Sequence, residues 1–232
     1  MNVRPPAAPG IRLTLKVTAR LLGYPDAECR VHLDEMRAAL HAESALSDAR
    51  LAELDRLVHR LATGRPLDIE SAYVELFDRG RSTSLSLFEH VHGDSRDRGP
   101  AMVDLVKTYE QAGLLLGVGE LPDHLCVVLE YASTQPEAQA RALLAEIAHI
   151  LQSIFSALLR ARSGYASVVA ALLDLAGEKA EAVALSPDPA LDECWEEPPV
   201  FGGCSTQGQA RPGQPQPIRI VKAPHGNRGA SA

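Results

Sequence analysis

The feature that most limits what this chain can become is a series of apolar stripes at three- and four-residue spacing, each cut off by glycine or proline. Leu51, Leu54, Leu57, Val58 and Leu61 mark one stripe, opened near Ser47 and closed at Gly64 in the usual manner of a helix C-terminus. That spacing sets side chains on one face of an α-helix. A second stripe, Cys29, Leu33, Met36 and Leu40, follows the capping residue Asp26. Others are Met102, Leu105, Val106 and Tyr109, and then Leu125, Val128, Leu129 and Ala132. Pro136 opens what reads as one long helix with Leu143, Leu144, Ile147, Ile150, Leu151, Ile154, Phe155 and Leu158. Gly164 separates it from a last helix bearing Val168, Val169, Leu172 and Leu175. Residues 11–17 alternate as a strand would, but no later segment offers them a partner. They are read as a helix with the stripe Leu13, Val17 and Leu21, stopped at Gly23-Tyr24-Pro25. The expected fold class is all-α, a single helical-bundle domain over residues 11–184.

Aromatic residues are only 4% of the chain while Leu and Ala dominate, which favours helices over a sandwich or barrel. Residues 1–10, with Pro5, Pro6 and Pro9, are expected to form a flexible leader. Residues 185–232 begin with an acidic cluster around Trp195 and continue rich in Pro, Gly and Gln, so a disordered tail is expected. A net charge of -7 excludes a duplex nucleic-acid binder, which needs clustered Lys and Arg. Cys29, Cys126, Cys194 and Cys204 lie far apart with no C-x-x-C pair, as expected of free thiols in a reducing compartment. No secretory signal is evident at the N-terminus, and no window reaches the roughly 18 consecutive apolar residues of a membrane span. The expected setting is the cytoplasm, with no membrane-integral part.

The candidate functional stretch is residues 73–99, YVELFDRGRSTSLSLFEHVHGDSRDRG. It starts as an amphipathic helix with Tyr73, Leu76 and Phe77 on one side, and it breaks at Gly80. It then passes through an apolar run with Leu85, Leu87 and Phe88 into a turn dense with His, Asp and Arg. Apolar walls beside fixed polar groups suit a groove that holds an amphipathic segment of another protein. A rival reading takes His90, His92 and Asp94 as zinc ligands of a metal-dependent hydrolase, since they resemble part of the H-x-H-x-D-H motif of metallo-β-lactamases. Ser95 replaces that motif's final histidine, and its host fold is rich in strands. Glu120-Leu-Pro-Asp-His124 is the second candidate, with Pro122 in the first turn of a helix and Asp123 at its positive end. A serine triad lacks a G-x-S-x-G context, and Gly113, Gly117 and Gly119 open no helix after a strand, so neither a hydrolase elbow nor a phosphate loop is indicated.

Several of these segments, taken together, resemble the NarJ family. They are Leu21-Leu-Gly-Tyr-Pro25, Tyr73-Val-Glu-Leu-Phe-Asp78, Ser84 through the H-G-D-S-R-D-R-G block to Gly99, Glu120-Leu-Pro-Asp-His-Leu125, and Trp195-Glu-Glu-Pro-Pro-Val-Phe201. The resemblance implies an all-helical chaperone of the NarJ, TorD and DmsD type, with no catalytic activity and no permanently bound cofactor. It implies that the client is the apo catalytic (alpha) subunit of respiratory nitrate reductase, held by its N-terminal segment while molybdenum cofactor and iron–sulfur clusters are inserted. It also admits molybdenum-cofactor biosynthesis proteins as partners. The wider superfamily carries an E-P-x-D-H type motif, matched here by Glu120, Pro122, Asp123 and His124 with Leu121 intervening. The client-binding residues expected on this basis are Tyr73, Phe77, Leu85, Phe88, His92, Gly93, Asp94, Arg96, Arg98, Glu120, Pro122, Asp123 and His124.

Overall fold

The computed structural model describes residues 10–91 and 97–184. The expected tail, the expected leader up to residue 9, and His92, Gly93, Asp94, Ser95 and Arg96 lie outside the described residues.

The segment that alternates like a strand is a helix, α1 (Arg12–Leu22), and a residue far along the chain holds its first turn. The Glu43 carboxylate accepts from the N–H groups of Leu13 (2.9 Å) and Thr14 (2.6 Å) and from the Thr14 hydroxyl (2.7 Å). Amides at a helix start have no partner within the helix, and an anion there faces the positive end of the dipole. The buried face runs through Leu15, Thr18, Ala19, Leu21 and Leu22, with Leu13 left 46% exposed. Of the expected stripe, Val17 and Leu21 are buried, and Leu15 enters the core in place of Leu13. Buried Thr14 and Thr18 disguise the helical period because they are polar yet internally satisfied.

Asp26 caps α2 (Ala27–Val31) by accepting from the Cys29 N–H at 2.6 Å. A break at His32 starts α3 (Leu33–Glu43), so the stripe from Cys29 to Leu40 is buried across two helices. Ser47 caps α4 (Asp48–Thr63), whose five stripe residues are all buried. Gly64 ends α4 without left-handed backbone: its φ is -72°. Glycine is needed there for space, since a Cβ would stand 2.8 Å from Ile69 Cδ1 and 2.9 Å from the Arg60 carbonyl oxygen. Pro66 opens α5 (Pro66–Tyr73), which widens into a π-helical turn, Val74–Asp78. A 3₁₀ turn (Arg81–Thr83) leads to α6 (Leu87–Val91), followed by α7 (Arg98–Gln111) and α8 (Leu125–Thr134). On α7 only Tyr109 of its four-residue stripe is buried.

The expected long helix is two helices, α9 (Glu137–Glu146) and α10 (Ala148–Arg160), bent by 64° at Ile147. Helix α11 (Ala166–Ala176) packs on both, and its 11 residues are too short to flank a straight rod of that length. The core is closed by α1 along α8, α10 against α11, and α4 against α3 and α11. Among the described residues there is no sheet, and no single helix is long and apolar enough to cross a membrane. Cys29 and Cys126 are free thiols.

The buried face of α1 is checkable beside a residue at the bundle centre. Leu129→Ala, at a site with no exposed surface, is expected to lower the unfolding free energy by about 2–5 kcal/mol. Leu13→Ala is expected to change it by less than about 0.5 kcal/mol. Urea denaturation followed by far-ultraviolet circular dichroism measures both.

Candidate functional site

Two segments 35 residues apart in sequence are joined by backbone bonds where no sheet exists to support them. The Leu125 N–H donates to the Leu85 carbonyl at 2.8 Å, and the Leu87 N–H to the Asp123 carbonyl at 3.0 Å, forming an isolated antiparallel bridge between Ser86 and His124. Fully buried Asp123 completes the join: its Oδ2 accepts from the Phe88 N–H at 3.1 Å. Asp123 thus caps the start of α6 while also lying next to His124, the N-cap of α8, at whose positive end its charge is expected. Its other oxygen, Oδ1, has no hydrogen-bond partner among the described residues. The Arg98 guanidinium compensates for that charge, with Nη2 3.9 Å from Asp123 Oδ2 and 3.7 Å from Glu89 Oε1. Behind the loop, the buried Tyr109 hydroxyl donates to the Pro122 carbonyl at 2.7 Å. The Tyr109 ring packs on Tyr131 with centroids 5.0 Å apart, which fixes the height of the loop above α8.

In front of this junction is a cavity of about 580 Å³. Tyr73, Phe77, Leu85 and Leu121 give it apolar walls, and Ser84, Ser86, Arg98 and His124 give it polar ones. Tyr73 is anchored by donating its hydroxyl to the Leu22 carbonyl at 2.8 Å, and its ring lies 4.8 Å from that of Phe77. Both rings also meet Tyr165 edge-on, at 6.0 and 5.1 Å. The π-helical turn is closed by the Arg79 N–H donating to the Val74 carbonyl at 3.2 Å. Gly80 then lets the chain pass close beneath it, because a Cβ there would stand 2.5 Å from the Leu76 carbonyl oxygen. Burial depresses the His124 imidazole below its ordinary value of 6.5, with Asp123, Asp78 and Glu120 opposing that shift. The ring therefore faces the cavity neutral near pH 7, able to donate from one nitrogen and accept at the other. Burial also raises the Tyr73 phenol, which stays a donor.

Of the residues expected at the site, the structure brings Tyr73, Phe77, Leu85, Arg98 and His124 together around this cavity. Phe88, Pro122 and Asp123 stand behind it as supports. Glu120 does not join them: it is exposed, accepts from the Gly117 N–H at 2.9 Å, and lines a different cavity of about 370 Å³ with Tyr109 and Tyr131. His92, Gly93, Asp94 and Arg96 are outside the described residues.

This constellation of segments has close counterparts among known proteins. A family model described as the nitrate reductase delta subunit matches residues 38–171. The chain belongs to that family. It is 45% identical over 198 residues to the nitrate reductase molybdenum cofactor assembly chaperone NarJ of Escherichia coli (strain K12), covering 81% of this chain and 84% of that one. It is 38% identical over 199 residues to a probable chaperone of the same description, NarW, also from Escherichia coli (strain K12), covering 80% and 82%. The probable NarJ of Bacillus subtilis (strain 168) is 30% identical over 165 residues, covering 70% and 87%. Membership in the delta subunit family makes this chain an assembly chaperone and not an enzyme.

The rival zinc reading, a hydrolase, gives way to the family's chaperone identity. Of its ligands, His92 and Asp94 lie outside the described residues, and His90 donates from Nε2 to the Ser84 carbonyl at 2.8 Å. Among the described residues no group of three His, Cys, Asp or Glu side chains could hold a metal ion. Sequence reasoning missed Leu121 and Tyr109. The alternation Ser84-Leu-Ser-Leu87 was the available signal for the short extended segment, and a lone buried tyrosine on an otherwise half-exposed α7 was the signal for the prop.

His124 gives the site a measurable pH signature. Because the folded chain holds that imidazole below its ordinary 6.5, its contribution to stability is complete above that value and is lost as pH falls toward the folded value. Unfolding free energies of wild type and His124→Gln are expected to run parallel well above the ordinary value of 6.5 and to diverge as pH falls below it, with wild type losing more. Parallel curves throughout would contradict the placement of this ring.

Proposed function

We propose that the cavity between the π-helical turn and the paired segments receives the amphipathic N-terminal segment of the apo catalytic subunit of nitrate reductase. Held there, that subunit stays competent for insertion of iron–sulfur clusters and molybdenum cofactor before it joins its membrane anchor. The chaperone retains no cofactor itself, and it works in the cytoplasm as a domain spanning about residues 11–184. The observation that carries this reading is the Ser86–His124 bridge, which sets the hydroxyls of Ser84 and Ser86 and the His124 ring directly beside Tyr73, Phe77 and Leu85. An amphipathic segment needs both: apolar walls for its buried side chains, and neutral donors and acceptors for its backbone and polar edge.

The energetics support a reversible hold. Three or four large side chains burying themselves gain on the order of 6–10 kcal/mol, at about 1.5–3 each. Ordering the segment costs about 2–5 kcal/mol, and lost free motion takes more. What remains corresponds to a Kd near the micromolar range, tight enough to capture and loose enough to release.

Calorimetry of the full chain against a peptide copying the N-terminus of the catalytic subunit from the same source is expected to give one-to-one binding in that range. Leu121 is 48% exposed, so Leu121→Asp should leave the circular dichroism unchanged. The same substitution is expected to weaken the peptide at least about tenfold, by placing a charge on an apolar wall. A peptide that does not bind, or binds the variant equally, defeats the reading.

A further inference from the structure

The segment that builds the client cavity has a second side. Tyr73 and Phe77 line that cavity, whereas Ala72 and Leu76 of the same turn line a trough between α4, α5 and the corner joining α10 to α11. The trough consists of two adjoining cavities of about 320 and 360 Å³ that share Leu57, Arg60 and Ser163. Its floor is apolar, with Leu57, Leu61, Ile69 and Phe155, and Leu159 stands on its rim 44% exposed. Gly164 keeps it open at the corner, where a Cβ would stand 3.0 Å from Arg60 Nη1.

The charge of this trough is at odds with the rest of the molecule. The chain carries a net charge of -7, whereas the trough is lined by Arg50, Arg56, Arg60 and Arg65 against only Glu53 and Asp68, and Arg50 is paired with Asp174 at 2.7 Å. Arg56 and Arg60 line the trough exposed and form no ion pair among the described residues. Arg65, farther along, is held only loosely by Asp68 at 3.6 Å. Arg56 and Arg60 are one turn apart on α4, where like charges repel, and Glu53, in the same lining, is paired with Arg50. Guanidiniums without an ion pair, beside exposed Leu159 and above a floor of largely buried apolar side chains, complement an acidic amphipathic surface.

We propose that this trough docks an acidic amphipathic helix of a second protein while the client cavity is filled. The apolar face of that helix lies on Leu57, Phe155 and Leu159, and carboxylates along its edge reach Arg56 and Arg60. Tyr165 gives the two sites a shared boundary, because its ring lines the trough and also touches the Tyr73 and Phe77 rings that line the client cavity. This surface is separate from the client cavity, so its primary readout, binding of an acidic probe, needs no client peptide.

The probe is a fluorescein-labelled helical peptide with Leu at i, i+3, i+4 and i+7 and Glu on the flanking positions, compared by anisotropy with the same peptide carrying Lys for Glu. The full-length chain is expected to bind the Glu peptide at least about tenfold more tightly than the Lys peptide, with the difference shrinking as salt is added. The double substitution Arg56→Glu with Arg60→Glu, and separately Leu159→Asp, should each weaken the Glu peptide about tenfold or more while leaving calorimetric binding of the client peptide unchanged. Equal binding of the two peptides, unaltered binding to the variants, or displacement of the Glu peptide by the client peptide would overturn the proposal. Recruitment of the chain to phosphatidylglycerol vesicles without any binding of the Glu peptide would overturn it too, in favour of a lipid surface.

Discussion

The buried carboxylate of Asp123 is the interaction on which the site depends. It lies on a loop but caps α6, a helix of only five residues that could not hold itself together unaided. Neutral backbone bonds contribute about 0.5–1.5 kcal/mol each, so the two bonds beside Ser86 would fray without a stronger neighbour. A charged acceptor supplies that, since hydrogen bonds to an ionised group are roughly twice as strong. Burying the charge is costly unless it is compensated, and Arg98 stands close enough to do so without leaving the cavity wall. One residue thereby couples the shape of the cavity to its electrostatics.

The aromatic cluster is the second constraint. Tyr73 is fixed at its hydroxyl by the C-terminal carbonyls of α1, and its ring is wedged against Phe77 and Tyr165. The wide turn between Val74 and Asp78 departs from α-helical geometry while keeping both rings inward. Such a turn sacrifices backbone regularity, and the sacrifice falls where the chain must cross beneath itself at Gly80. The Tyr73 side of the cavity is thus held by ring packing, and the Ser86 side by the buried Asp123 carboxylate and the Tyr109 prop.

Much of this was legible in the sequence because it depends on period and punctuation. The stripe on α4, the caps at Asp26 and Ser47 and the proline opening α5 required only local chemistry. What escaped was everything decided by distant partners. The period of α1 was blurred because Thr14 and Thr18 are buried and satisfied, one of them by Glu43. The break at Ile147 lies within an unbroken apolar pattern between Pro136 and Leu158, which does not encode it. Gly64 looked like a left-handed cap, although its role is steric against Ile69. Adjacent residues diverged for the same reason: Glu120 faces one cavity and Leu121 the other, a split set by the Tyr109 prop and not by the local motif.

The polar half of the cavity bears on why such a site suits a chaperone. Ser84, Ser86 and a neutral His124 offer hydrogen bonds without a fixed charge, so they can satisfy a peptide edge without dictating its sequence. Arg98 is already engaged by Glu89 and Asp123, which limits how strongly it can draw an incoming anion. Selectivity then draws on the fit of apolar side chains against Tyr73, Phe77, Leu85 and Leu121 and on the other charged groups of the lining, Asp78, Arg79, Arg81 and Glu89. A pocket that relied on a free guanidinium would gain affinity at each contact and would surrender its client slowly, because tighter binding appears mainly as a slower off-rate. In the proposed complex, internal pairing of Arg98 limits the affinity, as an assembly step that ends in hand-over requires.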